Sequence, residues 1–198
     1  DTSGMGERHM SGSDWRWKIG EVAERLRTRY EHIGRKTGAP FLALVYPPEA
    51  EASVMREWHT VADSLRPEID VRTINVLELT QEILSNIGTA EVVDSLDNPM
   101  PGAEPASELG RMWVDAIAQN VKARLSEPCD GKPVVSLESL AALYPAAGPR
   151  DLMQVLWDSA QSQLDGPVVV LIPGESNGTR IYSFLGRVDE FMYRGDLL

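Results

Sequence analysis

At 198 residues, 42% of them hydrophobic and only one a cysteine (Cys129), the chain is long and apolar enough for one well-buried domain, which excludes disorder, an internal disulfide and a multi-cysteine zinc site. Lys and Arg number 19 against 30 Asp and Glu, and the formal net charge of -11 repels duplex nucleic acid and anionic membrane surfaces while suiting basic protein partners. No apolar run approaches the ~20 residues of a bilayer span, and with the lone cysteine this points to a cytoplasmic protein.

Residues 1–13 are polar and Gly/Ser-rich, which reads as a disordered or tag-like tail with no signal-peptide stretch, and residues 14–198 read as a single α/β domain. Ser13 or Asp14 caps a first helix whose apolar positions, Ile19, Val22, Leu26, Tyr30 and Ile33, recur every three or four residues. Gly34 and Gly38 end it. The run Phe41 to Tyr46, bounded by Pro40 and Pro47, suits a strand covered on both faces. A helix with Val54, Trp58, Val61 and Leu65 on one face follows and stops at Pro67. Val71 to Val76 is a second strand, and Leu79, Ile83, Leu84 and Ile87 mark a third helix. Asp94 to Pro105, with three prolines and a glycine, reads as a surface loop.

The longest amphipathic helix comes next, with Leu109, Met112, Trp113, Ala116, Ile117, Val121 and Leu125 on its core stripe. Pro133 to Leu137 is a third strand. A helix near Pro149 carries Leu152, Val155, Leu156 and Leu164 and ends at Gly166. Pro167 to Ile172 is a fourth strand, and Thr179 to Leu185 is a further strand or a short helix. Strands alternating with helices predict a three-layer α/β sandwich around a mainly parallel sheet. The topology expected is P-loop-NTPase-like without a Walker A motif.

That motif needs glycines for close backbone approach to phosphate and a Lys-Ser/Thr pair. The segment after the first strand is instead Tyr46-Pro47-Pro48-Glu49-Ala50-Glu51, in which prolines lack the donor and carboxylates repel phosphate. The dinucleotide fingerprint is absent as well. Glu138, just past the third strand, reads as a helix-start carboxylate beside Ser139 favoured by the helix dipole, the alternative being a magnesium-holding carboxylate. His9, His32 and His59 have no metal-ligand spacing and read as surface histidines. Cys129 falls in a Pro/Gly turn with no histidine implied beside it, and no serine occupies a Gly-x-Ser-x-Gly elbow. No cofactor or metal is expected. Trp58 and Trp113 fall on helix core faces, Trp157 lies off its helix's stripe, and Trp15 and Trp17 either pack the first helix onto the body or anchor a partner.

The end of the chain is the most unusual segment. Gly174, Asn177 and Gly178 permit tight turns with positive φ. Arg180, Arg187 and Arg194 recur every seven residues among acids, which suits a C-terminal cap held by Arg–carboxylate pairs, a binding surface at the sheet's carboxyl edge, or both.

Val169-Val170-Leu171-Ile172-Pro173-Gly174-Glu175, then Gly178, Phe184-Leu185-Gly186-Arg187 and Tyr193-Arg194, resemble the BrxB family of BREX bacteriophage-exclusion systems. A weaker match is Val134-Val135-Ser136-Leu137 followed by Leu143-Tyr144-Pro145. The resemblance covers the last third of the chain well and the rest only in the order of elements, and the acidic, Pro-rich middle loop departs from it. It implies a non-catalytic adaptor of a prokaryotic anti-phage defence locus that binds a PglZ-type alkaline-phosphatase-superfamily partner and no nucleic acid directly. The contact surface expected is Arg180, Arg187, Phe191, Tyr193 and Arg194, shaped by Pro173, Gly174, Gly178 and Gly186. The alternative expectation is a degenerate P-loop-like nucleotide-binding protein or weak NTPase.

Overall fold

A computed structural model describes residues 14–159 and 164–198. The elements run α1 (Asp14–Arg29), β1 (Phe41–Tyr46), α2 (Glu51–Ser64), β2 (Ile69–Asn75), α3 (Val76–Ile87), α4 (Thr89–Asp97), α5 (Pro105–Ser126), β3 (Lys132–Glu138), α6 (Pro149–Asp158), β4 (Val168–Ser176), β5 (Ile181–Phe184), β6 (Val188–Phe191) and β7 (Gly195–Leu197). Five strands form a parallel sheet in the order β2-β3-β4-β1-β7, and β5 and β6 extend β4 as an antiparallel hairpin.

Helices cover both faces. Every residue of β1 is buried, and its alternation assigns Leu42, Leu44 and Tyr46 to the layer of α1 and α2, and Phe41, Ala43 and Val45 to that of α5 and α6. Trp58 is the largest fully buried side chain and fills the first layer beside Ile19, Val22 and Leu26. Each such side chain removed from water contributes about 1.5–3 kcal/mol. The three-layer sandwich expected from the strand–helix alternation is therefore the architecture. Among the described residues no helix is long and apolar enough to cross a membrane.

Several boundaries differ from the sequence reading. Val76 opens α3 and is fully buried, and Asn75, the last residue of β2, caps that helix by accepting from the Glu78 N–H at 3.2 Å. Part of the expected 94–105 loop is helical, since α4 continues to Asp97. α6 ends at Asp158, short of Leu164, which is buried nonetheless; residues 160–163 lie outside the described residues, as does the expected tail at 1–13. Met112 and Ile87 are exposed although helical spacing put them on core stripes. Trp15 packs into the core of α1 and α2, whereas Trp17 is exposed. β6 and β7 are too short to announce themselves in sequence.

β4 changes partners part-way along. Its residues 168–173 pair in parallel with β1, and residues 174–176 pair antiparallel with β5. The change falls on Pro173-Gly174. Proline has no N–H to give the ladder, and its carbonyl accepts from Leu185 N at 2.9 Å. Gly174 does not take the positive φ expected of it; its role is close approach, since a Cβ there would lie 2.0 Å from the Ser183 carbonyl oxygen. Gly174→Ala is expected to cost about 1–3 kcal/mol in urea denaturation by prying β5 from β4. Gly20→Ala, in an open α1 position with nothing within 4 Å, is expected to gain up to about 1 kcal/mol. Equal effects of the two would show that the strand pairing at Gly174 tolerates a methyl group.

Candidate functional site

Two groups of side chains gather where the parallel strands end, the usual place for ligands in such sheets. The first lies across the ends of β1, β2 and β3. Register puts Asn75 of β2 level with Glu138 of β3, and Tyr46 of β1 level with Pro173 of β4. Glu138 is only 7% exposed. It is not a helix-start carboxylate: it ends β3, and Ser139 turns the chain with a left-handed φ of 59° before a 3₁₀ turn at Leu140–Leu143. Its partner is His59 of α2, whose Nε2 lies 2.7 Å from the Glu138 Oε2. His59 is half exposed, as expected of a surface histidine, but it is paired. Packing of Trp58 into the core brings the next residue of α2 over the end of β3, a meeting of positions 79 apart in sequence.

The Tyr46 hydroxyl donates to Glu51 at 3.3 Å. Burial, then the nearby Glu51 and Glu138 carboxylates, holds this phenol far above its usual pKa, so it remains a donor. Lys18 of α1 donates to the Val45 carbonyl at 3.0 Å. The β1–α2 connection is Pro47 followed by a 3₁₀ turn at Pro48–Ala50, and carboxylates Glu49 and Glu51 stand at the start of α2. Beside Glu138 a groove of about 630 Å³ is lined by His59, Arg66, Thr73, Asn75 and Glu78. The guanidinium of Arg72, also in its wall, is engaged by Asp70 at 2.9 Å and by the carbonyls of Arg124 and Pro128. Among the described residues no group of three or more His, Cys, Asp or Glu is placed to hold a metal ion. Cys129 is exposed and its thiol lies 3.0 Å from the Gly131 carbonyl oxygen.

The second group is the C-terminal arm, made by the end of β4 with β5 and β6. The turn at Phe184–Arg187 closes through the Arg187 N–H donating to the Phe184 carbonyl at 3.0 Å. Leu185 and Gly186 both take positive φ, 55° and 64°, as the hairpin turn with two left-handed centres requires. Gly178, at φ 99°, serves the β4–β5 turn, whereas Asn177 takes no positive φ and donates its N–H to Ile181 at 2.8 Å. Tyr182 and Phe184 of β5 are buried, and Phe184 meets Tyr144 edge-on with ring centroids 6.3 Å apart. Arg187 lies over the same Tyr144 ring at 6.0 Å. The segment around Tyr144 and the segment Phe184–Arg187 thus converge.

The other arginines of the arm are used within the chain. Arg180 donates to the Met192 carbonyl at 3.3 Å, and Arg194 stacks over Trp157 at 4.2 Å and lies 5.8 Å from the Tyr193 ring centroid. Among the described residues none of Arg180, Arg187 and Arg194 is in an ion pair with a carboxylate. The cap is held by arginine–aromatic and arginine–carbonyl contacts in place of the expected Arg–carboxylate pairs, and Glu190 of β6 accepts from Tyr182 and the Arg150 N–H instead. Tyr193 reaches Asp158 of α6 at 3.4 Å. Phe191 is left 60% exposed at the end of β6, with Val188 also exposed.

Glu190, opposite Tyr182, ties the arm to α6. It accepts from the Tyr182 hydroxyl at 3.1 Å and from the Arg150 N–H at 3.4 Å, at the start of that helix. Gly148 makes room for it: a Cβ there would lie 2.9 Å from the Glu190 Oε2. Burial raises the Glu190 carboxyl above its ordinary pKa despite these two donors. Sequence reasoning missed Glu190, since its partners come from two other elements.

No family model matches this chain, and no curated protein and no solved structure is significantly similar to it.

A raised folded-state pKa means that the Glu190 contribution to stability is present at acid pH and is lost as pH rises through that value. Glu190→Gln keeps the acceptor for Tyr182 and removes the buried charge. Its melting temperature is expected to exceed that of the parent at pH 8, the gap closing as pH falls through the raised Glu190 value toward the ordinary carboxyl value of 4.5. A gap that does not change with pH, read by thermal melts in a pH series, would assign the effect to altered hydrogen bonding alone.

Proposed function

We propose that this chain is a cytoplasmic, BrxB-like adaptor of an anti-phage defence locus, and that it contacts a PglZ-type partner through its C-terminal arm. The observation that carries the reading is the convergence of the two resembling segments into one surface. Tyr144, Phe184 and Arg187 pack together beside a hairpin whose Phe191 is left in solvent. An exposed arginine over an aromatic ring, next to an exposed phenylalanine, has the composition of an interface hot spot. Arg194 and Arg180 hold the arm together, so the residues free to meet a partner are Arg187, Val188 and Phe191. Pro173, Gly174, Gly178 and Gly186 shape the arm by permitting the partner change and its turns.

Pull-down with the PglZ-type protein of the same locus is the test. Arg187→Ala with Phe191→Ser is expected to weaken binding at least about tenfold, equivalent to about 1.4 kcal/mol, with the melting temperature unchanged. Full binding by the folded double variant would exclude this surface.

A second reading, a degenerate P-loop-like nucleotide-binding protein, is favoured by two observations. The parallel order places β1 between β4 and β7, and a buried carboxylate, Glu138, stands at the end of β3 facing a groove. Against it stand the prolines and carboxylates of the β1–α2 connection. Thermal-shift measurements with millimolar ATP or GTP and magnesium discriminate, because any ligand of the native state raises its stability. No shift is expected; a shift abolished by Glu138→Gln would favour the nucleotide reading over the adaptor.

A further inference from the structure

The layer of α3, α4 and α5 has an apolar face that no other element among the described residues covers. α4 has no buried residue, and Ile87, Val93, Leu96, Met100 and Met112 are each between 40% and 77% exposed. Ile87 and Met112 are the residues whose helical spacing assigned them to buried stripes. With Val92, Leu96 and Leu109 they line a shallow groove of about 210 Å³ between α4 and α5. A contiguous apolar patch of this kind marks an interaction site more often than scattered surface residues do, and methionine adapts its shape to what it meets.

The charge around the groove selects its occupant. Between Arg72 and Arg111 the chain has seven acidic residues, Glu78 through Glu108, and no Lys, Arg or His. Among the described residues none of these seven carboxylates is in an ion pair. Glu91 and Glu108 stand in the groove wall itself. Arg111, the first base after them, lines a different groove, between α5 and α6. A second copy would bring the same acids face to face, which opposes association, and nucleic acid is repelled for the same reason. A helix with apolar residues at i, i+3, i+4 and i+7 and lysines or arginines along its flanks satisfies both the apolar floor and the acidic wall.

We propose that the α3–α4–α5 face is a docking groove for a basic amphipathic helix of a protein partner, separate from the surface of the C-terminal arm. The proposal does not depend on the adaptor reading.

The test uses a fluorescent peptide of about five helical turns in which leucine and lysine follow that spacing, titrated into the full chain by anisotropy. Two control peptides replace every lysine by glutamate or every leucine by serine. The Leu/Lys peptide is expected to bind and both controls to bind at least about tenfold more weakly. Leu96→Ser with Met112→Ser, and separately Glu91→Gln with Glu108→Gln, are each expected to weaken binding about tenfold. Glu57→Gln with Asp63→Asn, on α2, is expected to leave it unchanged. Hydrogen exchange on peptide binding is expected to slow within residues 87–112. The charge pair gives an independent arm if the apolar pair melts early. Binding that is insensitive to both groove variants, protection elsewhere, or a dimer in sedimentation that Met112→Ser abolishes would overturn the assignment.

Discussion

The partner change of β4 at Pro173-Gly174 is the constraint on which the rest of the structure depends. Up to Pro173 the strand lies between β1 and β3, buried on both faces, and holds the parallel sheet together. Beyond it the same strand has left the sheet and carries a hairpin. A proline that withholds its N–H ends the ladder, and a glycine without Cβ admits the incoming Ser183 carbonyl. Two adjacent residues therefore fix both the centre of the core and the direction of the only antiparallel element among the described residues.

Everything in the arm follows from that exit. Tyr182 and Phe184 drop into the core of the α5–α6 layer, which orients the opposite side of the hairpin outward. Glu190 and Tyr193 then fasten it to the two ends of α6. The half-buried carboxylate is a costly fastener, and its raised pKa records that cost. Arginine stacking replaces ion pairing here, consistent with the ability of the guanidinium plane to pack over aromatic rings while its edge stays in water.

At the other strand ends, the chemistry is that of carboxylates and their hydrogen-bonding partners. Glu138 is matched by His59, and Glu51 by the Tyr46 hydroxyl. Prolines fill the connection where a phosphate-binding loop would need backbone donors. The acidic surplus of the chain is concentrated instead on the α3–α4–α5 layer, where it borders exposed apolar side chains. The binding surfaces proposed for the arm and for this layer differ in charge as well as in place.

The sequence by itself determined the layered α/β class, the bounds of β1 to the residue, and the strand character of the Pro167–Ile172 run, because doubly buried strands are continuous apolar blocks and amphipathic helices repeat every three or four residues. Only the tertiary structure decided which apolar positions are covered, and so revealed that Ile87 and Met112 face solvent: periodicity marks a face as apolar and says nothing of whether another element lies against it. It alone decided the pairings of Glu138 with His59 and of Glu190 with Tyr182 and α6. The first joins residues 79 positions apart, and no local pattern encodes where the end of one strand meets the flank of a helix.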